Sequence, residues 1–251
     1  MKVLYFTATG NNLYVTKKIG GESYSIPKLI KAEQFEIEDE KIGIVFPTYY
    51  GKVPKIVEEF LNKAKLKSNY IFAVTSYGAF SGPVISHLLE IGKRNGIKFS
   101  YINDILMVDN YLPAFNMDKE IKKEPKKNIE KNLELIIKDI TESKEYVHKH
   151  TAPMRFLEGL IDKISSHQAN TEFDKNFSVE NTCIGCKVCE KVCPVNNIVV
   201  DEKPVFNGNC QQCLACTNNC PKNAIRLKNE RSKARFINRN VTLKEIIDSN
   251  E

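Results

Sequence analysis

All eight cysteines of the 251-residue chain lie in two short segments toward its C-terminal end. Each segment has the spacing C-x2-C-x2-C-x3-C-P, formed first by Cys183, Cys186, Cys189 and Cys193 and then by Cys210, Cys213, Cys216 and Cys220. This spacing lets the chain curl around one face of an iron–sulfur cube and present three thiolates to it. A disulfide framework needs an oxidising compartment, and structural zinc prefers two cysteine pairs converging on one ion. The spacing therefore favours [4Fe–4S] clusters.

Residues 177–227, which contain both cysteine segments, resemble the bacterial two-cluster ferredoxins. The resemblance implies that the fourth cysteine of each segment binds the cluster held mainly by the other segment. One [4Fe–4S] cluster is then held by Cys183, Cys186, Cys189 and Cys220, and a second by Cys210, Cys213, Cys216 and Cys193. Because every cysteine is used as a ligand, no thiol is left for covalent chemistry, and electron transfer is the expected role.

The elements ahead of the cysteines predict an α/β fold. Apolar runs that suit strands buried on both faces occur at 2–6, 41–47, 69–75 and 97–108, with a short edge candidate at 23–26. Segments with helical spacing of apolar residues lie between them, at 12–19, 53–64 and 82–96. This alternation predicts a doubly wound parallel sheet that binds a ligand at the carboxyl ends of its strands.

Three loops that follow predicted strands have the residue types of a flavin site. The first, "TATGNN", combines hydroxyls, a glycine and a helix N-terminus, which suit a phosphate, although Thr and Asn also cap helices. The loops "PTYYGKVP" and "SYGAFSG" supply tyrosines and glycines for a planar ring, unless the tyrosines serve only in packing. The expected FMN contacts are Thr7, Thr9, Gly10, Asn11, Asn12, Pro47, Thr48, Tyr49, Tyr50, Gly51, Ser76, Tyr77, Gly78 and Gly82.

With T-x-T-G-N as its phosphate loop, the N-terminal part resembles a flavodoxin-like domain, which implies the strand order 2-1-3-4-5 and bound FMN. The whole arrangement resembles the EFR-type flavodoxin–ferredoxin fusion proteins of anaerobes. This resemblance implies an electron relay between FMN, two [4Fe–4S] clusters and a redox partner protein or low-potential electron donor or acceptor. Two alternatives stay open: a flavin-dependent oxidoreductase acting on NAD(P)H or a small acceptor, and a docking module without flavin.

The predicted domains are a flavodoxin-like domain at 1–149, a helical linker at 150–176 with a helix at 152–168, the ferredoxin domain at 177–227 and a tail at 228–251. In the tail, Thr242 and Glu245 have the spacing of a capping box. The 42% hydrophobic content is that of a globular protein, and no apolar run approaches the ~20 residues that span a bilayer. The net charge of +6 alone does not indicate nucleic-acid binding, because the sequence lacks the motifs of nucleic-acid-binding proteins. The cytoplasm is the expected compartment.

Overall fold

The computed structural model describes residues 1–148 and 171–251, so the helix predicted at 152–168 lies outside the described residues. The first part alternates strands and helices. Its elements are β1 (Lys2–Tyr5), α1 (Asn11–Ile19), β2 (Glu22–Ser25), α2 (Ile26–Lys31), β3 (Glu36–Glu38), β4 (Lys41–Pro47), α3 (Lys55–Leu61), β5 (Lys65–Lys67), β6 (Tyr70–Tyr77), α4 (Val84–Asn95), β7 (Tyr101–Leu106), α5 (Met117–Lys123), α6 (Ile129–Thr141) and β8 (Tyr146–Val147).

Six of these strands form a central sheet with the order β2-β1-β4-β6-β7-β8. Every neighbouring pair in this sheet is parallel, as predicted from the alternating pattern. In a parallel sheet all the strands end at the same edge. The loops that follow β1, β4, β6 and β7 therefore meet at one edge of the sheet, which places the residues of the candidate site.

The sheet is buried on both faces because successive side chains of each strand point to opposite sides. Leu4 of β1 packs with one buried cluster, which includes residues of α2, α3 and α4. Val3 packs with the other, which includes residues of α1 and α6. The near-continuous apolar sequences of β1, β4 and β6 follow from this double burial.

Several elements differ from the sequence prediction. The strand expected at 97–108 extends only over Tyr101–Leu106, and Ile97 and Phe99 are buried in the core ahead of it. The sheet gains the edge strand β8, and β3 pairs with β5 in a separate small sheet. These short strands have too few apolar residues to give a clear pattern.

The second described part carries the cysteines. After a 3₁₀ helix at Thr171–Asn176, its elements are β9 (Phe177–Val179), α7 (Val188–Lys191), β10 (Ile198–Val200), β11 (Pro204–Phe206), α8 (Ala215–Asn218), β12 (Ile225–Leu227) and α9 (Leu243–Asp248). The strands form two antiparallel pairs, β10 with β11 and β9 with β12. The helix α9 begins with the predicted capping box between Thr242 and Glu245.

The C-terminal part packs directly against the sheet. Val192, Ala215, Val241 and Ile246 belong to the same buried cluster as Val3 of β1. The domain boundaries remain a prediction, but the two parts share one apolar interior. Within the described residues, no helix combines the length and apolar character needed to cross a membrane.

Candidate cofactor-binding sites

The structure gathers the cysteines into two groups of four. Cys183, Cys186, Cys189 and Cys220 line one cavity, which we call the outer cavity. Cys193, Cys210, Cys213 and Cys216 line the other, the inner cavity. Each cavity thus contains three cysteines of one sequence segment and the last cysteine of the other segment.

The thiols are in surroundings that fit iron–sulfur clusters. All eight cysteines are free. Burial raises the pKa of Cys189 and of Cys210 to about 12, so that a bare thiolate at either position is unfavourable. A bound cluster supplies the positive charge that lets these thiols bind as thiolates.

Backbone amides donate to the cysteine sulfurs of both cavities. The N–H of Asn197 donates to Cys193 Sγ at 3.2 Å, and that of Ala224 donates to Cys220 Sγ at 3.2 Å. Such donors stabilise ligated thiolates and tune the potential of the cluster. No group of three or more His, Cys, Asp or Glu side chains in residues 1–148 and 171–251 converges closely enough for a single metal ion.

A larger pocket of about 370 Å³ lies at the carboxyl edge of the central sheet. Twelve of the predicted flavin contacts line it, namely Thr7, Thr9, Asn11, Asn12, Pro47, Thr48, Tyr49, Tyr50, Gly51, Ser76, Tyr77 and Gly78. The other two, Gly10 and Gly82, lie in the same loops but do not line it. A pocket of this size at this edge fits a cofactor with a planar ring.

The first loop leads directly into α1. Gly10 has a left-handed backbone, with φ of 92°, and its N–H donates to Thr7 Oγ1 at 3.1 Å. The side chain of Asn12, 2% exposed, lines the pocket, and its Oδ1 has no hydrogen-bond partner among the described residues. Oδ1 only accepts hydrogen bonds and does not itself attract an anion. The groups here that suit a phosphate are the N–H groups in the first turn of α1, which have no partner within the helix.

The second loop turns sharply at Tyr50 and Gly51. The backbones of Tyr49 and Lys52 bond to each other on either side of the turn, and Tyr50 has a left-handed backbone with φ of 51°. This conformation costs an aromatic residue roughly 1–3 kcal/mol, and such costs are concentrated where ligands are held. The Tyr50 hydroxyl donates to Gln212 Oε1 at 2.7 Å.

A fourth loop also lines the pocket and was not predicted. Met107, Val108, Asp109, Asn110 and Tyr111 follow β7 and line the pocket. The rule that placed the first three loops at this edge applies equally to the loop after β7. The sequence signal was therefore available in the polar residues that follow this apolar strand.

Asp109 gives the pocket a carboxyl group in a confined position. A Cβ atom placed on Gly78 would lie 2.2 Å from Asp109 Cβ, so only glycine leaves room for the carboxyl group here. Burial raises the pKa of Asp109 to about 6. Lys127, itself buried, donates to the Gly78 carbonyl at 3.0 Å.

The wall opposite the sheet comes from the cysteine-bearing part. Gln212, Cys213 and Leu214 line the same pocket as the four loops. Cys213 also lines the inner cavity, so this residue forms a common wall between the two. No feature of the sequence indicated this contact, because it depends on how the two parts pack.

Residues 179–199 match the family model of the 4Fe-4S binding domain. A 48-residue stretch is 46% identical to part of a protein from Methanosarcina acetivorans that belongs to an ion-translocating oxidoreductase complex, covering 18% of this chain and 18% of that protein. The matched region thus spans less than a fifth of the relative. The chain contains a 4Fe-4S ferredoxin domain that binds at least one [4Fe–4S] cluster. Iron–sulfur electron transfer is the function class indicated.

Proposed function

We propose that the protein is an electron carrier that binds FMN in the edge pocket and two [4Fe–4S] clusters in the inner and outer cavities. The observation that carries this proposal is the position of Cys213, which lines both the edge pocket and the inner cavity. A cluster ligand in the wall of the flavin pocket brings the two cofactors close together. The fold thereby supplies the positioning that a cofactor protein must provide.

The flavodoxin-like assignment is supported by the sheet. Numbered along the chain within the central sheet, the strands have the order 2-1-3-4-5, with a sixth strand at the edge. The switch point of this order lies between β1 and β4, beside the pocket, where such sheets bind FMN. We assign Thr7, Thr9 and Asn12, which line the pocket, to the phosphate, and Tyr49 and Tyr50, which also line it, to the ring.

The assignment of two clusters is supported by the two cavities. Cys220 lies with the first cysteine segment and Cys193 with the second, which is the crossed arrangement implied by two-cluster ferredoxins. When bound, the flavin supplies one- and two-electron chemistry and each cluster one-electron chemistry, so joining them lets electron pairs be exchanged for single electrons. The residues of the chain hold these groups, and Cys213 forms a common wall between the edge pocket and the inner cavity.

The electron partner is expected at the outer cavity. Cys186 is exposed, and the adjacent Ile184 is 62% exposed, whereas Cys213 faces the pocket. A redox partner protein or a low-potential donor or acceptor therefore reaches the outer cluster more easily than the inner one. The matched relative is a component of a complex, which supports a protein partner.

A flavin-dependent oxidoreductase is the second candidate, and Asp109 is the observation that favours it. This carboxyl group lines the pocket and has a pKa of about 6, so it can hold or release a proton near neutral pH. Anaerobic mixing with NADH or NADPH separates the candidates. Rapid bleaching of the flavin absorbance would favour the oxidoreductase, and an unchanged spectrum would favour the carrier.

The cofactor content of protein prepared without oxygen tests the proposal. We expect about eight irons and about one FMN per chain after reconstitution, as two cubanes and one flavin require. Iron near four per chain would contradict the second cluster. Absence of flavin after incubation with excess FMN would contradict the relay and leave an iron–sulfur protein with a docking domain.

A further inference from the structure

We propose that Asn238 and Asn219, which lie far from the flavin loops in sequence, are positioning residues that hold the loop at 7–12 in its phosphate-binding shape. The cysteine-bearing part and the tail would thereby set the preference of the pocket for a phosphorylated flavin. This inference rests on the proposed FMN site and assigns new residues to it.

The first observation concerns the carbonyl groups of the loop. Asn219 Nδ2 donates to the Ala8 carbonyl at 2.9 Å, and the Asn238 backbone N–H donates to the Thr9 carbonyl at 2.9 Å. Both carbonyls are thus turned toward the C-terminal part. Because each peptide is planar and trans, the N–H of Thr9 faces away from the Ala8 carbonyl.

The second observation is a chain of side-chain hydrogen bonds behind the loop. Asn238 Nδ2 donates to Asn11 Oδ1 at 3.1 Å, and Asn11 Nδ2 donates to the Val108 carbonyl at 3.1 Å. Asn110 Nδ2 donates to Thr9 Oγ1 at 2.6 Å. Asn238 therefore fixes the orientation of an asparagine that also bonds to the fourth loop. In a buried network each missing member leaves its partner unsatisfied.

The third observation is the close seating of the tail on Gly10. A Cβ atom added to Gly10 would lie 3.1 Å from Val241 Cβ and 3.2 Å from Asn238 Cβ. The sequence predicts that Gly10 allows a close approach of phosphate, but the structure turns this position toward the tail. The loop consequently has one face on the pocket and the other on residues of the C-terminal part.

Both positioning residues are themselves firmly held. Asn219 is 2% exposed and directly precedes Cys220, and its Nδ2 also donates to the Ala215 carbonyl at 2.9 Å. Beyond Asn238, the tail is anchored by the Ser249 side chain, whose Oγ lies 2.8 Å from the Tyr5 hydroxyl. The segment that carries Cys220 thus also contacts the loop at 7–12.

The test compares FMN with riboflavin, which lacks the phosphate, on full-length protein with its clusters loaded and its flavin removed. For Asn238→Ala we expect the FMN dissociation constant to rise roughly tenfold or more, since a buried hydrogen bond to the loop is lost. The riboflavin dissociation constant should change little. Fluorescence titration measures both, and Asn240→Ala is the matched control, because this exposed asparagine lies on the same tail.

A second variant covers the case in which Asn238→Ala does not fold. Asn238→Asp keeps the size of the side chain but places an oxygen opposite Asn11 Oδ1, so it should weaken FMN binding at least as much. Asn219→Ala, with iron content measured in parallel, should give the same selective loss of FMN affinity.

Three results would overturn the inference. These are an unchanged FMN affinity in the Asn238 variants, an equal loss of FMN and riboflavin affinity, and an equally large effect of Asn240→Ala. Failure of the unmodified protein to bind either flavin would overturn the proposed function and this inference together. If the unmodified protein binds FMN but the variants bind it equally well, the inference fails alone.

Discussion

The inner and outer cavities arise from the same sequence pattern but differ in their surroundings. The outer cavity is lined by the exposed Cys186 and by Ile184 and Lys187 of the same segment. The inner cavity contains Cys213, which packs against buried clusters on both faces of the sheet. Equal cysteine spacing predicts equal surroundings, whereas packing makes the inner cavity a neighbour of the edge pocket and leaves the outer cavity beside solvent.

This difference comes from packing, because nothing in the cysteine spacing itself distinguishes the two groups of cysteines. Here the contact of Gln212, Cys213 and Leu214 with the edge pocket gives the repeat a direction, from the pocket through the inner cavity to the outer one.

The largest effect on electron exchange is expected when Cys213 is replaced, compared with replacement of Cys186 at the equivalent position of the other segment. Cys213→Ser should nearly abolish electron exchange between reduced flavin and the outer cluster, because the intermediate carrier is disturbed. Cys186→Ser, at the corresponding position, should perturb the outer cluster and leave the exchange between flavin and the inner cluster nearly intact. Anaerobic stopped-flow absorbance after flavin reduction measures both.

Iron content and low-temperature electron paramagnetic resonance spectra provide the control, since they show which cluster each variant retains. If the two variants slowed the reaction of the flavin equally, the assignment of the inner cluster as its neighbour would be wrong.

A smaller difference between the two cavities is expected in the order in which they lose iron. A chelator should remove the outer iron first, because Cys186 is exposed whereas Cys193 and Cys216 are buried. Iron release should therefore show two phases of similar amplitude, followed by the loss of cluster absorbance. The fast phase should be missing in Cys186→Ser, and a single phase in the unmodified protein would argue against unequal exposure.

The smallest expected effect concerns Asp109, on the pocket side. Burial raises its pKa from 3.8 to about 6, so the protonated form is favoured in the folded state. The contribution of this group to the free energy of unfolding is fully present below pH 3.8, and it is lost as the pH rises through the folded-state pKa of about 6. Asp109→Asn stays neutral and should be more stable above pH 6 by roughly 1–3 kcal/mol.

Thermal unfolding followed between pH 5 and 8 tests this effect as a rise of a few degrees in the midpoint. Asp201→Asn is the control, because Asp201 is an exposed carboxylate at the hairpin beside the outer cavity. Similar shifts in the two variants would mean that the effect is a general change of net charge and does not depend on the pocket.

Much of the architecture could be predicted because its signals are local. The apolar runs of β1, β4 and β6 indicate strands buried on both faces, and the capping box of α9 lies within four residues. The cysteine spacing reports cluster chemistry for the same reason, since three ligands of each cluster come from one short segment. Such patterns depend on backbone geometry and side-chain type, which a sequence displays directly.

The sequence by itself determined the cysteine ligands of the iron–sulfur domain, the parallel sheet and the edge at which the loops of that sheet meet. Only the tertiary structure decided that Cys213 faces the pocket, that Gly10 faces the tail, and that Asn219 and Asn238 bond to the loop at 7–12. The contacts of Gly10, Asn219 and Asn238 join residues more than 200 positions apart, as in the 211-residue separation of Asn219 and Ala8. They arise when two apolar surfaces pack together, and no short pattern records which polar groups then meet.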